Sequence, residues 1–233
     1  MERAKKLLDI INSGLLKMRD ARVDSNIHAT NLINFCPRAY LLCKKHRLMF
    51  NDDSRVTTSR IITFYVGHAV EASIIASFKA EGVSKPIDPF YINITDTDKV
   101  VGTPDAAVVI DDPKPYIIEL KTTGKDEMTT MIEPYVDHVC QLSLYLWMAE
   151  IRKQPFYYDV GFIVYISKIE KKEQIKVYLV HRNDAFLQTV RTQLNVVKTF
   201  SKSDALPDRI CNSPIGLLAK TCTVCKLCFS EEA

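Results

Sequence analysis

The 233-residue chain contains little glycine and little proline, with 7 and 10 residues respectively. This scarcity excludes collagen-like chains and chains that are disordered because they are rich in these residues. Its uninterrupted apolar runs are far shorter than the ~20 residues that span a bilayer, so the sequence predicts no membrane helix and no membrane partner. Hydrophobic residues make up 47% and charged residues 25% of the chain, which is typical of a globular protein.

The chain also lacks a strong charge imbalance, because its formal net charge is only +3. Bases nevertheless predominate between Arg38 and Arg60, and acids predominate between Asp96 and Glu127. A basic flank beside an acidic centre suits an enzyme that attracts a polyanion and holds a divalent cation. Two solvated surfaces of opposite sign would give the same pattern.

The chain has seven cysteines and no recognisable signal peptide. Residues 1–22 have the pattern of an amphipathic helix, and their acidic residues argue against a mitochondrial presequence. These features predict a reducing intracellular compartment, either the cytoplasm of the source cell or, for a virus-encoded protein, the cytoplasm of its host. In that setting, clustered cysteines bind metal more often than they form disulfides.

Helical and strand patterns follow one another in an order typical of a mixed α/β domain with a central mixed sheet flanked by helices. Helices are predicted from 37 through 42, from 57–59 to 81, from 134 to 152 and from 183–184 to 200. Strands are predicted at 90–94, 99–103, 106–110, 116–122, 160–166 and 174–180. The predicted organisation is an N-terminal helical region at 1–57, a core at 58–203 and a Cys-rich tail at 204–233 that packs on the N-terminal helices.

Two predicted neighbouring strands contain the densest group of reactive side chains. Asp105 begins one strand, and Glu119-Leu120-Lys121 lies on the next. Glu119 and Lys121 share a face because residues two apart on a strand point the same way. Two carboxylates and the Leu120 carbonyl form an oxygen site that favours Mg²⁺ or Mn²⁺, and Lys121 would activate a water beside the ion. An exposed salt-bridging face is the non-catalytic alternative.

Two predicted helices add further candidates. Glu71 lies one turn after Gly67 among apolar residues, where a carboxylate is costly unless it is paired or metal-bound. His68 is either its partner or simply a satisfied polar residue. Gln141 and Tyr145 lie four apart on one side of a helix, where an amide and a phenol can bond a phosphate or the lysine.

These residues together resemble the PD-(D/E)XK nuclease superfamily, and within it the RecB-like exonucleases. The resemblance covers about residues 36 to 228, and its motifs occur in the family's order: Gly67 with Glu71, Pro104-Asp105, Glu119-Leu120-Lys121, and Gln141 with Tyr145. The chain departs from many RecB-like members in having Glu71 where they have a histidine.

The resemblance implies a restriction-endonuclease-like core and metal-dependent hydrolysis of phosphodiester bonds. It also implies that Glu71, Asp105 and Glu119 are metal ligands and that Lys121 activates the attacking water. Gln141 and Tyr145 would then support the lysine and the DNA strand.

The tail contains Cys222, Cys225 and Cys228 at three-residue intervals, a spacing strongly associated with metal binding. The Cys-Pro-Arg sequence that begins at Cys36 resembles the iron–sulfur subgroup of RecB-like nucleases. That subgroup takes one cysteine from an N-terminal helix and three from the tail. The resemblance implies a [4Fe–4S] cluster that includes Cys36, Cys222 and Cys228, with Cys225 or Cys211 as the fourth ligand. A Zn²⁺ site made by the four tail cysteines alone is the alternative.

The sequence therefore predicts a Mg²⁺- or Mn²⁺-dependent DNA exonuclease that acts on single strands or duplex ends, in DNA repair, recombination, or phage or CRISPR DNA processing. Protein partners in a repair or processing complex are expected. DNA would enter along basic helical residues near Arg38, Lys44, Lys45 and Arg47. The alternatives are a nucleic-acid-binding or assembly factor with a degenerate nuclease site, and a restriction-type endonuclease.

Overall fold

The computed structural model describes residues 5–7, 9–13, 26–48, 50, 57–123, 127–168 and 175–230. In this part of the chain, helix α1 includes residues 5–7 and 9–13. The other helices are α2 (Pro37–Lys45), α3 (Thr58–Ala80), α4 (Glu127–Thr130), α5 (Val136–Ile151), α6 (Asp184–Phe200), α7 (Leu217–Thr221) and α8 (Cys225–Ser230), with a 3-10 helix at Ala29–Leu32. The strands are β1 (Ile27–His28), β2 (Ser84–Lys85), β3 (Phe90–Asn93), β4 (Lys99–Gly102), β5 (Ala106–Val108), β6 (Tyr116–Thr123), β7 (Val160–Ser167) and β8 (Ile175–His181).

The described strands form two mixed sheets. One has the order β2-β5-β6-β7-β8, in which β6 and β7 are parallel and the other neighbours are antiparallel. The other has the order β1-β4-β3. All six predicted strands are present, whereas the sequence missed β1 and β2 and the division into two sheets. Two-residue strands are too short to show the alternation on which strand prediction depends.

Side-chain caps determine where two of the long helices begin. The Thr57 side chain accepts a hydrogen bond from the backbone N–H of Arg60, and Asn183 Oδ1 accepts one from Phe186. Both residues lie among the predicted start positions, because a short polar side chain can satisfy an N–H group that the first helical turn leaves unpaired.

Helix α5 lies at the centre of the core. Every residue from 140 to 149 is buried, and the helix contacts β3 of the three-stranded sheet as well as β6 and β7 of the five-stranded sheet. The second half of α3 packs on the other face of the five-stranded sheet through Val70, Ile74, Ile75 and Phe78. Strand β6 is therefore covered on both faces, and side chains at its C-terminal end lie between α3 and α5.

Helix α3 is long and apolar enough to cross a membrane by length and composition, since it has 23 residues with a mean hydropathy of 1.5 over part of its length. The sequence argument counted uninterrupted apolar runs, which residues such as Glu71 break, and so did not single out this helix. Ile62 and Phe64, in the first half of the helix, are exposed.

The Cys-rich tail packs on α2. Ala39, Leu42 and Cys43 of α2 form a buried cluster with Val224 of the tail. Arg38 is also buried, and its guanidinium donates a hydrogen bond of 2.9 Å to the carbonyl oxygen of Pro207. This contact ties α2 to the segment that precedes the tail helices.

Candidate active site

The predicted pair of carboxylates lies at one end of the β5–β6 pair. Ala106 pairs with Ile118 in the antiparallel register, so continuing that register by one residue places Asp105 opposite Glu119. Asp105 Oδ2 accepts a hydrogen bond of 2.8 Å from the backbone N–H of Leu120. Glu119 is buried, with 1% of its surface exposed. The structure thus brings together the two acids that the sequence singled out.

A chain of hydrogen bonds holds the amine of Lys121. Its Nζ donates to Glu119 Oε1 and, at 2.9 Å, to Gln141 Oε1. Gln141 Nε2 in turn donates to the hydroxyl of Tyr145 at 3.1 Å. The ring of Tyr145 lies against Gly102, where an added Cβ would come within 2.7 Å of the ring. Because α5 packs directly on β6, the amide fixes the position of the ammonium group.

Gln141→Ala is expected to slow cleavage roughly 10- to 150-fold without abolishing it. Lys121 would keep its bond to Glu119 and lose the bond to the Gln141 amide oxygen, and a hydrogen bond to a charged group is worth about 1.5–3 kcal/mol. Single-turnover cleavage of a labelled DNA strand measures the effect. Gln193→Ala is the control, because the Gln193 amide donates instead to the carbonyl of Phe35. An unchanged rate for Gln141→Ala would contradict a supporting role.

Glu71 approaches the same region from α3. An added Cβ at Gly67 would lie 3.1 Å from Thr122 Oγ1 of β6 and 4.0 Å from Glu71 Oε1, so the helix passes close to the end of this strand. The other Glu71 oxygen lies 2.9 Å from His68 Nδ1. His68 is therefore the partner of Glu71, and Glu71 lies at the edge of the carboxylate pair with 20% of its side chain exposed.

The environment of the two acids favours their neutral forms. Burial, and more weakly the charge of Glu71, raises the pKa of Asp105 to about 6 against the opposing effects of the Leu120 N–H and of Lys121. Burial and the neighbouring Asp105 raise the pKa of Glu119 to about 8, although Lys121 opposes the shift. The pair therefore keeps a proton at neutral pH unless a cation compensates its charge.

These acids fit a divalent cation. Glu119 Oε2 is buried and has no hydrogen-bond partner among the described residues. A buried acceptor without a partner costs free energy. Carboxylate oxygens are the ligands that Mg²⁺ and Mn²⁺ prefer. Within the described ranges, no three acidic, histidine or cysteine side chains converge on one point as a formed metal site. Asp105 and Glu119 are thus the buried carboxylates of the site, and Glu71 is a partly exposed carboxylate at its edge.

Two residues near this site were not assigned from the sequence. His138 lies one turn before Gln141, and its Nδ1 is 2.7 Å from the hydroxyl of Tyr165. Burial and the charge of Lys121 lower the pKa of His138 to about 4, so its ring is neutral. Lys168 extends its Nζ to within 3.9 Å of the point where a Gly67 Cβ would lie. The three-residue spacing of His138 and Gln141 on one helix could have indicated that His138 lies near the site. No sequence signal indicates that Lys168 does.

Five cysteines surround one small cavity between α2 and the tail: Cys36, Cys211, Cys222, Cys225 and Cys228. Burial raises the pKa of the Cys36 thiol, and the thiols of Cys222, Cys211 and Cys228 add to that shift. All five candidate ligands are thus neighbours, although their distances are not those of a formed metal site in the part of the chain that is described. The two remaining cysteines, Cys43 and Cys140, are buried in the core, as predicted.

The basic side chains that were predicted to contact DNA occupy different environments. Lys44, Lys45 and Arg47 are exposed at the end of α2, and Lys44 Nζ lies 2.6 Å from Asp98 Oδ2. Arg38 is 5% exposed, so its guanidinium has a structural role at the α2–tail contact. The expectation that Arg38 lies on a DNA-facing surface is therefore corrected.

No protein-family model matches the chain, and no curated protein does. Among solved structures, the chain is similar to the protein SSO0001, with a TM-score of 0.53 and 20% identity over 85% of this chain and 88% of that one. It is also similar to an alkaline exonuclease, LHK-Exo from Laribacter hongkongensis, with a TM-score of 0.51 and 12% identity over 77% of this chain and 89% of that one. The predicted class, a mixed α/β fold of the restriction-endonuclease-like type, is confirmed.

Proposed function

We propose that the chain is a metal-dependent DNA exonuclease of the RecB-like type, which hydrolyses phosphodiester bonds. The observation that carries this proposal is the buried pair of Asp105 and Glu119 with the ammonium of Lys121 held beside it by Gln141. A fold shared with an alkaline exonuclease supports it. A purely structural role would favour apolar residues at a buried position such as Glu119.

Each residue of the site has a role that its surroundings support. Asp105 and Glu119 would hold Mg²⁺ or Mn²⁺, with the Leu120 carbonyl and Glu71 as further oxygen ligands. When bound, the ion would polarise the scissile phosphate and lower the pKa of the attacking water. Lys121 would orient that water and stabilise the negative charge that develops on the phosphate. Gln141 keeps the amine in place, and Tyr145 in turn bonds Gln141. Both side chains are buried, so the expectation that they contact the DNA strand is corrected.

The exposed lysine and arginine side chains at the end of α2 support an entry path for DNA. Lys44, Lys45 and Arg47 form a positive surface, and neutralisation of phosphates by such groups supplies most of the sequence-independent affinity for DNA. We propose single strands or duplex ends as the substrate, and repair, recombination, or phage or CRISPR DNA processing inside a cell as the setting, with further proteins of that process as partners.

The decisive experiment incubates the purified chain with end-labelled linear and covalently closed circular DNA, single- and double-stranded, with Mg²⁺, Mn²⁺ or a chelator. Linear DNA should be degraded from its ends, circular DNA should persist, and the chelator should stop the reaction. Cleavage of circular DNA would instead indicate an endonuclease. Binding without cleavage under all conditions would indicate a degenerate site.

We further propose that Cys36, Cys222 and Cys228 hold a [4Fe–4S] cluster with Cys211 or Cys225 as the fourth ligand, since thiolates are the usual ligands of such clusters. This proposal is supported by the shared cavity that all five cysteines line. The cluster would connect α2 to the tail. A Zn²⁺ site of Cys211, Cys222, Cys225 and Cys228 is the second candidate, supported by the spacing in the tail.

Cys36→Ser is expected to remove the brown colour, the visible absorbance and most of the iron, because one of four ligands is lost. Iron and zinc analysis together with an absorbance spectrum measure the outcome. Cys140→Ser is the control, since Cys140 is a buried cysteine in α5 and should leave the spectrum unchanged. Unchanged zinc content in the Cys36→Ser protein, with no iron in either variant, would favour the zinc site.

A further inference from the structure

A cavity of about 370 Å³, with Cys43, Leu48 and Phe50 as its apolar wall, lies where the end of α2 meets the turn between β3 and β4. Among the described residues, its lining contains three cations, Lys44, Arg47 and Lys99, against a single carboxylate, Asp98. The side chains of Asn26, Tyr40 and Thr97 also line it. The excess of positive charge and the hydrogen-bonding side chains suit an anion rather than an apolar ligand.

The hydrogen bonds of Asp98 leave this excess uncompensated. Asp98 Oδ2 accepts from Lys44 Nζ and from Thr95 Oγ1, both at 2.6 Å, and the hydroxyl of Tyr40 also bonds this carboxylate. Asp98 thus holds Lys44 in place. No carboxylate of the described residues pairs with the side chains of Arg47 or Lys99. These two cations are therefore the ones available to a ligand.

Arg47 ends α2 in a backbone conformation that usually favours glycine. Its φ is 54°, in the left-handed region. Leu48 N–H donates to the carbonyl of Cys43, and Arg47 N–H donates to that of Lys44, which is the Schellman pattern. Glycine is the preferred residue at this position because it has no Cβ. An arginine here weakens the helix end relative to glycine but places a guanidinium at the cavity.

Strand β4 connects this cavity to the candidate active site. Lys99 lines the cavity at one end of β4, and Gly102 lies against the ring of Tyr145 at the other. Three strand residues span roughly 10 Å. Phosphates of one strand in a duplex succeed one another every ~3.4 Å along the axis. The distance from the cavity to Tyr145, which is hydrogen-bonded through Gln141 to Lys121, therefore corresponds to a few nucleotides.

We propose that this cavity binds a phosphate group of the nucleic-acid strand a few nucleotides from the bond that is cut, with Arg47 as its main cation. The proposal rests on the nuclease function proposed above and assigns to it a separate binding site. A guanidinium can bond two phosphate oxygens at once, and Lys99 contributes a second charge.

The chain contains a matched control for the test. Lys153 has a φ of 53° at the end of α5, with the same two capping bonds, from Gln154 N–H to Ala149 O and from Lys153 N–H to Glu150 O. Arg47→Gly and Lys153→Gly each remove one positive charge and relieve the same backbone conformation. They differ in that Lys153 is absent from the lining of this cavity.

The experiment measures binding of a fluorescent single-stranded oligonucleotide to each full-length variant in a chelator, at several salt concentrations, together with the melting temperature. Arg47→Gly should weaken binding roughly tenfold at low salt and lower the slope of log affinity against log salt by about 1, without lowering the melting temperature. Lys153→Gly should change neither binding nor slope. Equal affinities for the two variants would overturn this inference and leave the nuclease proposal standing.

Two further measurements separate the outcomes. The source of the phosphate is tested with strands that carry a 5′-phosphate, strands that carry a 5′-hydroxyl, and circular strands. If Arg47→Gly weakens binding only of the 5′-phosphorylated strands, the cavity binds a terminal phosphate. If it weakens binding of all three kinds of strand, the cavity binds an internal phosphodiester. If the unmodified chain cleaves DNA but the Arg47 effect is missing on every strand, the cavity is not a phosphate site. If the unmodified chain neither binds nor cleaves DNA, both proposals fail.

Discussion

Replacing Lys121 by alanine is expected to reduce DNA cleavage by a factor of at least ~10³ while the fold is retained. The substitution removes the one ammonium group that is bonded to the buried Glu119 carboxylate and to Gln141. Loss of a single group that stabilises developing charge in a dry site costs about 10²–10³ in rate, and loss of help to the attacking water adds to that. Asp105→Ala and Glu119→Ala should have effects at least as large.

Single-turnover cleavage and thermal unfolding together test this expectation. Lys85→Ala is the matched control, because Lys85 is an exposed lysine on the edge strand β2 of the same sheet. The control should cleave at the rate of the unmodified chain. Full activity in the Lys121, Asp105 or Glu119 variant would remove that residue from the catalytic site, and loss of folded structure would be visible in the melting curve.

The stability of the metal-free chain is expected to fall as the pH rises from about 5 to about 8.5. The pKa values of Asp105 and Glu119 are raised to about 6 and about 8, against about 4 in an unfolded chain. The folded state then binds more protons than the unfolded state in this range. The stability that the pair contributes is therefore fully present below about pH 4 and is lost as pH rises through the folded pKa values. At ~1.4 kcal/mol per pKa unit and roughly 2–4 °C per kcal/mol, the melting temperature should change by several degrees.

A divalent cation should reverse this loss, because it can replace the protons that the carboxylates release. Mg²⁺ or Mn²⁺ should thus raise the melting temperature more at pH 8.5 than at pH 5. Glu119→Gln keeps a neutral side chain in place, so it should flatten the pH dependence and remove most of the metal effect. Glu81→Gln, at an exposed position that ends α3, should do neither. A metal effect of equal size at both pH values in the unmodified chain would contradict the assignment.

Much of the fold could be predicted because its principal elements carry strong local patterns. Thr57 and Asn183 cap helices with side-chain oxygens that accept from N–H groups of the first turn. Strand β6 has a buried apolar run that ends in charged residues. The pairing of Asp105 with Glu119 could be predicted because the connection between β5 and β6 is short and leaves few registers available. These features depend on neighbours in the chain.

Other features could not be predicted because they depend on distant segments. The burial of Arg38 requires the carbonyl of Pro207, which is 169 positions away. The two-residue strands β1 and β2 form only because partners in β4 and β5 are available. The position of Arg47 at a cavity requires the β3–β4 turn, and nothing in the pattern of α2 shows that its end adopts a left-handed backbone.

The sequence by itself determined the mixed α/β class, the cysteine groups and the acid–acid–lysine order, because these follow from residue types and spacings along the chain. Only the tertiary structure decided that His68 is the partner of Glu71, that Glu71 lies at the edge of the site, and that five cysteines surround one cavity. The physical reason is that hydrogen bonds, burial and charge interactions act through space, so their partners are set by packing between α3, α5, the tail and the sheet.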